Sequence, residues 1–148
     1  MDDRSLAGEL ATAAGELLLD IRANSGLSGR ALGDAGDRRS DDYILGRLAQ
    51  LRPDDAVLSE ESADDKARLI APRVWIVDPV DGTREYGNVD DSGEGRRDWA
   101  VHVALWSSTG GGTLIAGAVA LPALGVTYLD DPTPIAPTEG LACLLYTS

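Results

Sequence analysis

Asp78 and Asp81 lie three residues apart in the stretch VWIVDPVDGTREY, residues 74–86. The apolar run at 74–77 reads as a strand that delivers both carboxylates into a turn set by Pro79 and Gly82. Pro79 fixes its own φ and offers no N–H, and Gly82 permits a close backbone approach. Carboxylates held at a strand end form a hard-oxygen site of the kind Mg²⁺ prefers, with water and substrate phosphate completing the shell. The turn also frees the backbone N–H groups of Gly82 and Thr83, which can face an anion. Taken alone, the motif reads equally well as an acidic, proline-marked surface turn.

A second acidic cluster follows another short apolar run. Glu60 and Glu61 stand in AVLSEES, residues 56–62. One reading is a solvated helix start with Ser59 as its N-cap and an acidic first turn. The other starts from the spacing. Two strand-ending acidic clusters about 18 residues apart suit neighbouring strands joined by a short helical link. A third carboxylate, Asp37, stands upstream in DAGDRRSDDYILGRL.

In this order and spacing, the three motifs resemble the inositol monophosphatase-like superfamily of Mg²⁺-dependent, lithium-sensitive phosphatases. Its pattern is an aspartate before the second helix, then G-E-E, then D-P-[IVL]-D-G-T, and the resemblance covers roughly residues 6–130. It implies metal ligation by Glu60, by Asp78 as a bridge between two metals, by the backbone carbonyl of Val80, and by Asp81 on the second metal. It implies a phosphate cradle at Gly82 and Thr83, and it makes Asp37 and Thr83 the pair that orients the attacking water. Two or three Mg²⁺ ions, inhibition by Li⁺ and a homodimer of the full-length protein are expected on the same ground. Ser59 departs from the pattern's usual glycine. Ala35 stands where many inositol phosphatases carry lysine, which weakens a claim to inositol phosphate specificity.

Beyond the turn, Asp81-Gly82-Thr83-Arg84-Glu85-Tyr86 looks like D-G-T-[RK]-E-[FY] of the CysQ-type 3′(2′),5′-bisphosphate nucleotidases rather than the D-G-T-T-N-F of simple inositol phosphatases. With DWAVHVALW downstream, it resembles the actinobacterial members in particular. The implied substrate is adenosine 3′,5′-bisphosphate from sulfate assimilation. Inositol monophosphatase or fructose-1,6-bisphosphatase activity is the alternative, and a non-catalytic metal-binding fragment is an alternative of another class. Arg84 is a candidate contact to a second phosphate, or else a surface partner of Glu85. The family's W-D-x-A-G motif, which supplies a further metal ligand, is missing, because none of Trp75, Trp99 and Trp106 is followed by aspartate. The tail CLLYTS, residues 143–148, resembles a translated sequencing adapter. The expectation is a truncated reading frame. Its native part, 1–142, would be the N-terminal metal- and phosphate-binding domain, and 143–148 a non-native tail.

Several elements must hold these residues. Leu6, Leu10, Leu17, Leu18 and Ile21 recur at helical spacing, with Gly26 and Gly29 marking the helix end. Residues 33–39 read as a loop carrying Asp37, and Ser40 as the cap of a second helix running to about Leu51 before Pro53. Strands are expected at 57–59, 74–77, 99–106, 114–121 and 125–129, with a turn at Pro122 and a helical linker at 63–70. The Gly- and Asp-rich stretch 86–97 reads as a loop at the site's edge, a flexible insertion more readily than a closing lid. Helices followed by an antiparallel run give an α+β class, layered helices on a largely antiparallel sheet. In the resemblance this is the N-terminal domain of the inositol monophosphatase/fructose-1,6-bisphosphatase fold. His102, the single histidine, is read as a satisfied sheet-face residue rather than a general base, and Trp99, Trp106 and Tyr128 as packing residues.

Composition excludes several classes. The 148 residues are 43% hydrophobic, enough for one domain with a core. With 13 basic and 25 acidic residues the net charge is −12, which argues against a nucleic-acid polymer as partner. Such a chain would repel a small phosphorylated substrate unless metal ions invert the local charge. The single cysteine, Cys143, rules out an internal disulfide framework. No apolar run reaches the roughly 20 residues of a membrane span, and MDDRSLAGEL has no signal-peptide pattern. A cytoplasmic protein without a membrane partner is expected.

Overall fold

The computed structural model of the chain describes residues 1–61, 70–90 and 94–130. Helix α1 spans Asp3–Asn24, and the carboxylate of Asp2 caps it by accepting the Ser5 N–H at 2.7 Å. Leu6, Leu10, Leu18 and Ile21 are buried on one face, together with Ala7, Ala11 and Ala14. Gly26 and Gly29 then turn the chain with φ of +74° and +59°.

Helix α2 spans Gly29–Leu51 and begins well before the expected cap. Residues 33–39 are helical, not a loop, and Ser40 lies inside α2 rather than capping it. The reason is packing. Gly33 and Gly36, both inside the expected loop, are close-approach positions. A Cβ at Gly33 would sit 2.8 Å from the Thr83 methyl, and one at Gly36 would sit 2.4 Å from the Tyr86 ring. The glycines let a helix pass over the D-G-T-R-E-Y segment, and Asp37 is therefore fixed on a rigid element.

The strands are β1 (Ala56–Ser59), β2 (Arg73–Asp81), β3 (Ala100–Ser107), β4 (Thr113–Leu121) and β5 (Val126–Leu129), in that spatial order. β1 runs parallel to β2, and the other neighbours pair antiparallel. The largely antiparallel α+β expectation holds, with a mixed sheet in detail. β2 is longer than the apolar run suggested, since it carries both aspartates within it. The five-residue helix α3 (Thr83–Gly87) follows directly, so Tyr86 belongs to a helix and not to the edge loop. Beyond α3, a Val89–Gly95 bridge holds part of that loop. The helical linker expected at 63–70 falls mostly outside the described residues.

Both long helices cover one face of the sheet. Trp75, Val77, Val101, Val103 and Leu105 point into that core with exposures of 2% or less. Ala116, Ala118 and Ala120 on β4 keep that side shallow where α1 crosses it. Far from the aspartates, Arg73 bridges Asp3 on α1 and Asp55 before β1, at 2.9 and 3.0 Å. Nearer the site, Tyr86 donates to the Leu18 carbonyl at 2.6 Å and meets Trp99 edge-on at 4.8 Å. Arg22 covers both rings and donates to the carbonyls of Glu85 and Asn88. Among the described residues no helix is long and apolar enough to cross a membrane.

Candidate metal and phosphate site

A single irregularity builds the site. Side chains alternate between the two faces of a strand, so residues three apart in a regular strand point to opposite faces. In β2, Asp78 pairs with His102, yet Asp81 pairs with Ala100, so one extra residue is accommodated between them. This is a β-bulge at Pro79–Val80, where Pro79 has no N–H to give to the ladder. The bulge resets the alternation and brings Asp81 onto the face that Asp78 shares with His102. The Pro79 carbonyl left by the bulge accepts the buried Ser40 hydroxyl of α2 at 2.9 Å.

Glu60 follows the end of β1. Since Ser59 pairs with Val77 in parallel register, Glu60 emerges beside Asp78. Ser59 donates to Asp41 of α2. Thus α2 holds the end of β1 through Asp41 and the β2 bulge through Ser40. A cleft of about 490 Å³ is lined by Glu60, Asp78, Val80, Asp81, Gly82, Thr83 and His102. Gly82 adopts a left-handed conformation, φ +89°, with Asp98 and Glu85 oxygens 3.2 Å from any added Cβ, so glycine is required there.

Asp37 adjoins this cleft from α2. The Thr83 hydroxyl lies 3.1 Å from its carboxylate and 3.3 Å from the Val80 carbonyl, with one proton to donate between them. Burial pushes Asp37 up to about 6, helped by the charge of Glu61 and opposed by the Thr83 hydrogen bond. Asp78 is likewise pushed up to about 6, by burial and then by Glu60 and Asp81, with His102 acting in the opposite direction. Negative charge beside these two buried carboxylates adds to the effect of burial, and a cation in the cleft would relieve it.

The donor set consists of carboxylate and carbonyl oxygens, which suits Mg²⁺. Among the described residues, no three acidic, histidine or cysteine side chains stand close enough together to hold a metal ion by themselves. An open arrangement is compatible with an ion that keeps several waters and takes phosphate oxygens as ligands.

Arg84 is the sequence candidate set apart from the carboxylates. It is exposed and lines a neighbouring cleft of about 720 Å³ with Ser28, Arg30, Asp34 and Asn88, and the two clefts meet at Thr83. It forms none of the ion pairs found among the described residues, so the alternative of a Glu85 partner is not realised. Tyr86 of the same motif is an internal anchor.

His102 is on the sheet face and satisfied, as expected, but its partner is a candidate ligand: the ring lines the cleft, with Nε2 2.9 Å from Asp81 Oδ2. Its alternation with Val101 and Val103 could have placed it opposite the core. Only the bulge places Asp81 beside it. Glu61 was passed over, and its influence on Asp37 follows from adjacency to Glu60.

The sequence profile of the inositol monophosphatase family matches residues 4–130. The chain is 53% identical to the 3′-phosphoadenosine 5′-phosphate phosphatase of Mycobacterium leprae, over 98% of this chain and 55% of that protein. It is 36% identical to the 3′(2′),5′-bisphosphate nucleotidase CysQ of Escherichia coli, over 64% of this chain and 35% of that protein. The fold matches inositol monophosphatase II of Staphylococcus aureus with a TM-score of 0.72 at 22% identity, covering 87% of this chain and 46% of that one. The chain thus spans about half the length of the relatives it matches.

Proposed function

The chain belongs to the inositol monophosphatase family, and on that premise we propose that its full-length protein is a Mg²⁺-dependent phosphomonoesterase acting on adenosine 3′,5′-bisphosphate. The observation that carries the reading is the common cleft of Glu60, Asp78 and Asp81, with the Asp37–Thr83 pair alongside it. The name of the mycobacterial relative, at 53% identity, supports the choice of substrate. Residues 1–142 would form the metal- and phosphate-binding half, while 143–148 lie outside the described residues. A cytoplasmic setting in sulfate assimilation and sensitivity to Li⁺ belong to the same proposal.

Glu60, Asp78, Asp81 and the Val80 carbonyl would hold the cations. Bound Mg²⁺ would supply Lewis-acid charge and lower the pKa of a coordinated water. Asp37 would accept a proton from, or orient, a water directed at phosphorus, with the Thr83 hydroxyl, 3.1 Å from its carboxylate, steadying it. The N–H groups of Gly82 and Thr83 would meet the phosphoryl oxygens, where charge builds up during in-line displacement. Arg84, across Thr83 in the adjoining cleft, would meet a second phosphate.

Phosphate release from adenosine 3′,5′-bisphosphate, inositol 1-phosphate and fructose 1,6-bisphosphate tests the reading. The nucleotide should give the highest kcat/KM. A reversed order would favour an inositol phosphatase or fructose-1,6-bisphosphatase, and no Mg²⁺-dependent release from any of them would reject the phosphatase reading.

A further inference from the structure

We propose that His102 is a positioning residue for Asp81, its imidazole holding one carboxylate oxygen so that the other stays turned toward the cation. The inference rests on the reading of Asp81 as a metal ligand. It comes from the geometry of β2 and β3. The bulge brings Asp81 to the sheet face opposite the helices, and His102 is on that face directly opposite Asp78. The His102 Nε2 lies 2.9 Å from Asp81 Oδ2, and both side chains are partly exposed, at 26% and 36%. A carboxylate that ligates a cation only accepts hydrogen bonds, so in the proposed arrangement Nε2 is the donor of this contact.

A packing histidine of the sheet would satisfy itself away from the chemistry. This one lines the cleft and bonds to a candidate ligand. It is not placed as a general base, because the Asp37–Thr83 pair occupies that position and the ring is engaged with Asp81. Asp81 is the last residue of β2, and the left-handed Gly82 follows it. Without a partner its carboxylate would rotate, and part of the metal's binding energy would go into fixing it. Partners that orient ligands in this way are typically worth about 10–100-fold in metal affinity or activity.

The test uses the full-length protein and Mn²⁺ as the probe, with free Mn²⁺ followed by electron paramagnetic resonance. His102→Ala should weaken the Asp81-dependent site by about 10–100-fold and raise the metal concentration needed for half-maximal turnover. KM for substrate at saturating metal should stay near wild type. His102→Gln, whose side-chain amide donates from nearly the same place as Nε2, should restore most of the affinity. Asp81→Asn should weaken the same site. If Asp81→Asn loses Mn²⁺ while His102→Ala binds it as wild type, the positioning role is wrong and the ligand stands. If Asp81→Asn binds as wild type, the ligand reading fails and the inference fails with it. Should His102→Ala not fold, a folded His102→Gln that binds Mn²⁺ about 10–100-fold more weakly than wild type would overturn the proposal, because a donor in the same place should hold Asp81.

Discussion

At the scale of single residues, the site is a set of negative charges held together against their own repulsion. Asp37 and Asp78, both near 6, should leave a signature in the metal-free protein. Their unfolded counterparts titrate near 4, so between about pH 4 and 6 the native state binds more protons. These two groups therefore favour folding most below pH 4, and that contribution is lost as pH rises through 6. Asp3, held low by Arg73 and Arg52, works in the opposite direction, so whole-protein melting mixes the two. Asp37→Asn isolates the effect. Relative to wild type in EDTA, its Tm should be higher at pH 7.5 but not at pH 4.5, and a uniform offset would contradict the raised pKa. In turnover assays Asp37→Asn should lower kcat about 10²–10⁴-fold while Mn²⁺ still binds. Asp78→Asn should lose both activity and metal, and wild-type kcat in both variants would remove the assignment.

At the scale of elements, α2 is the template of the site. It carries Asp37, ties β1 through Asp41 and Ser59, and satisfies the bulge through Ser40. Little of this was legible in the sequence. The motif residues and their strands stood out, because short apolar runs ending in acidic pairs are local patterns. The role of α2 depends on what its glycines touch, and glycine in a sequence reads as a break. Likewise D-P-V-D shows a turn residue but not the reset of alternation that puts both aspartates on one face. Two substitutions test the template. Ser40→Ala would leave the buried Pro79 carbonyl without its partner and should cost about 1–3 kcal/mol. Gly36→Ala should gain helix propensity, worth about 1 kcal/mol, but its methyl would collide with the Tyr86 ring. Overpacking of that kind typically costs about 1–3 kcal/mol, so the net change should be destabilising. Urea denaturation of each variant decides, and a stabilised Gly36→Ala would mean that α2 and α3 can separate freely.

At the scale of the molecule, the helices cover one face of the sheet and no described residue covers the other. That open face carries Ile76, Trp106, Leu114, Val119, Val126 and Tyr128, with Leu114 59% and Val126 38% exposed. The Asp78 and His102 side chains lie at one end of the same face, so whatever covers it also borders the chemistry. A contiguous apolar sheet surface in water favours association. The 148-residue chain should therefore self-associate in sedimentation velocity. Leu114→Lys and Val126→Lys, both at exposed positions, should change the monomer's own stability by no more than about 0.5 kcal/mol while shifting the chain toward monomer. Because the chain spans about half the length of its relatives, it should also bind Mg²⁺ weakly and release no measurable phosphate from adenosine 3′,5′-bisphosphate. A monodisperse wild-type monomer with Mg²⁺-dependent turnover would contradict both expectations. It would mean that the open face needs no cover and that Glu60, Asp78 and Asp81 suffice for the reaction.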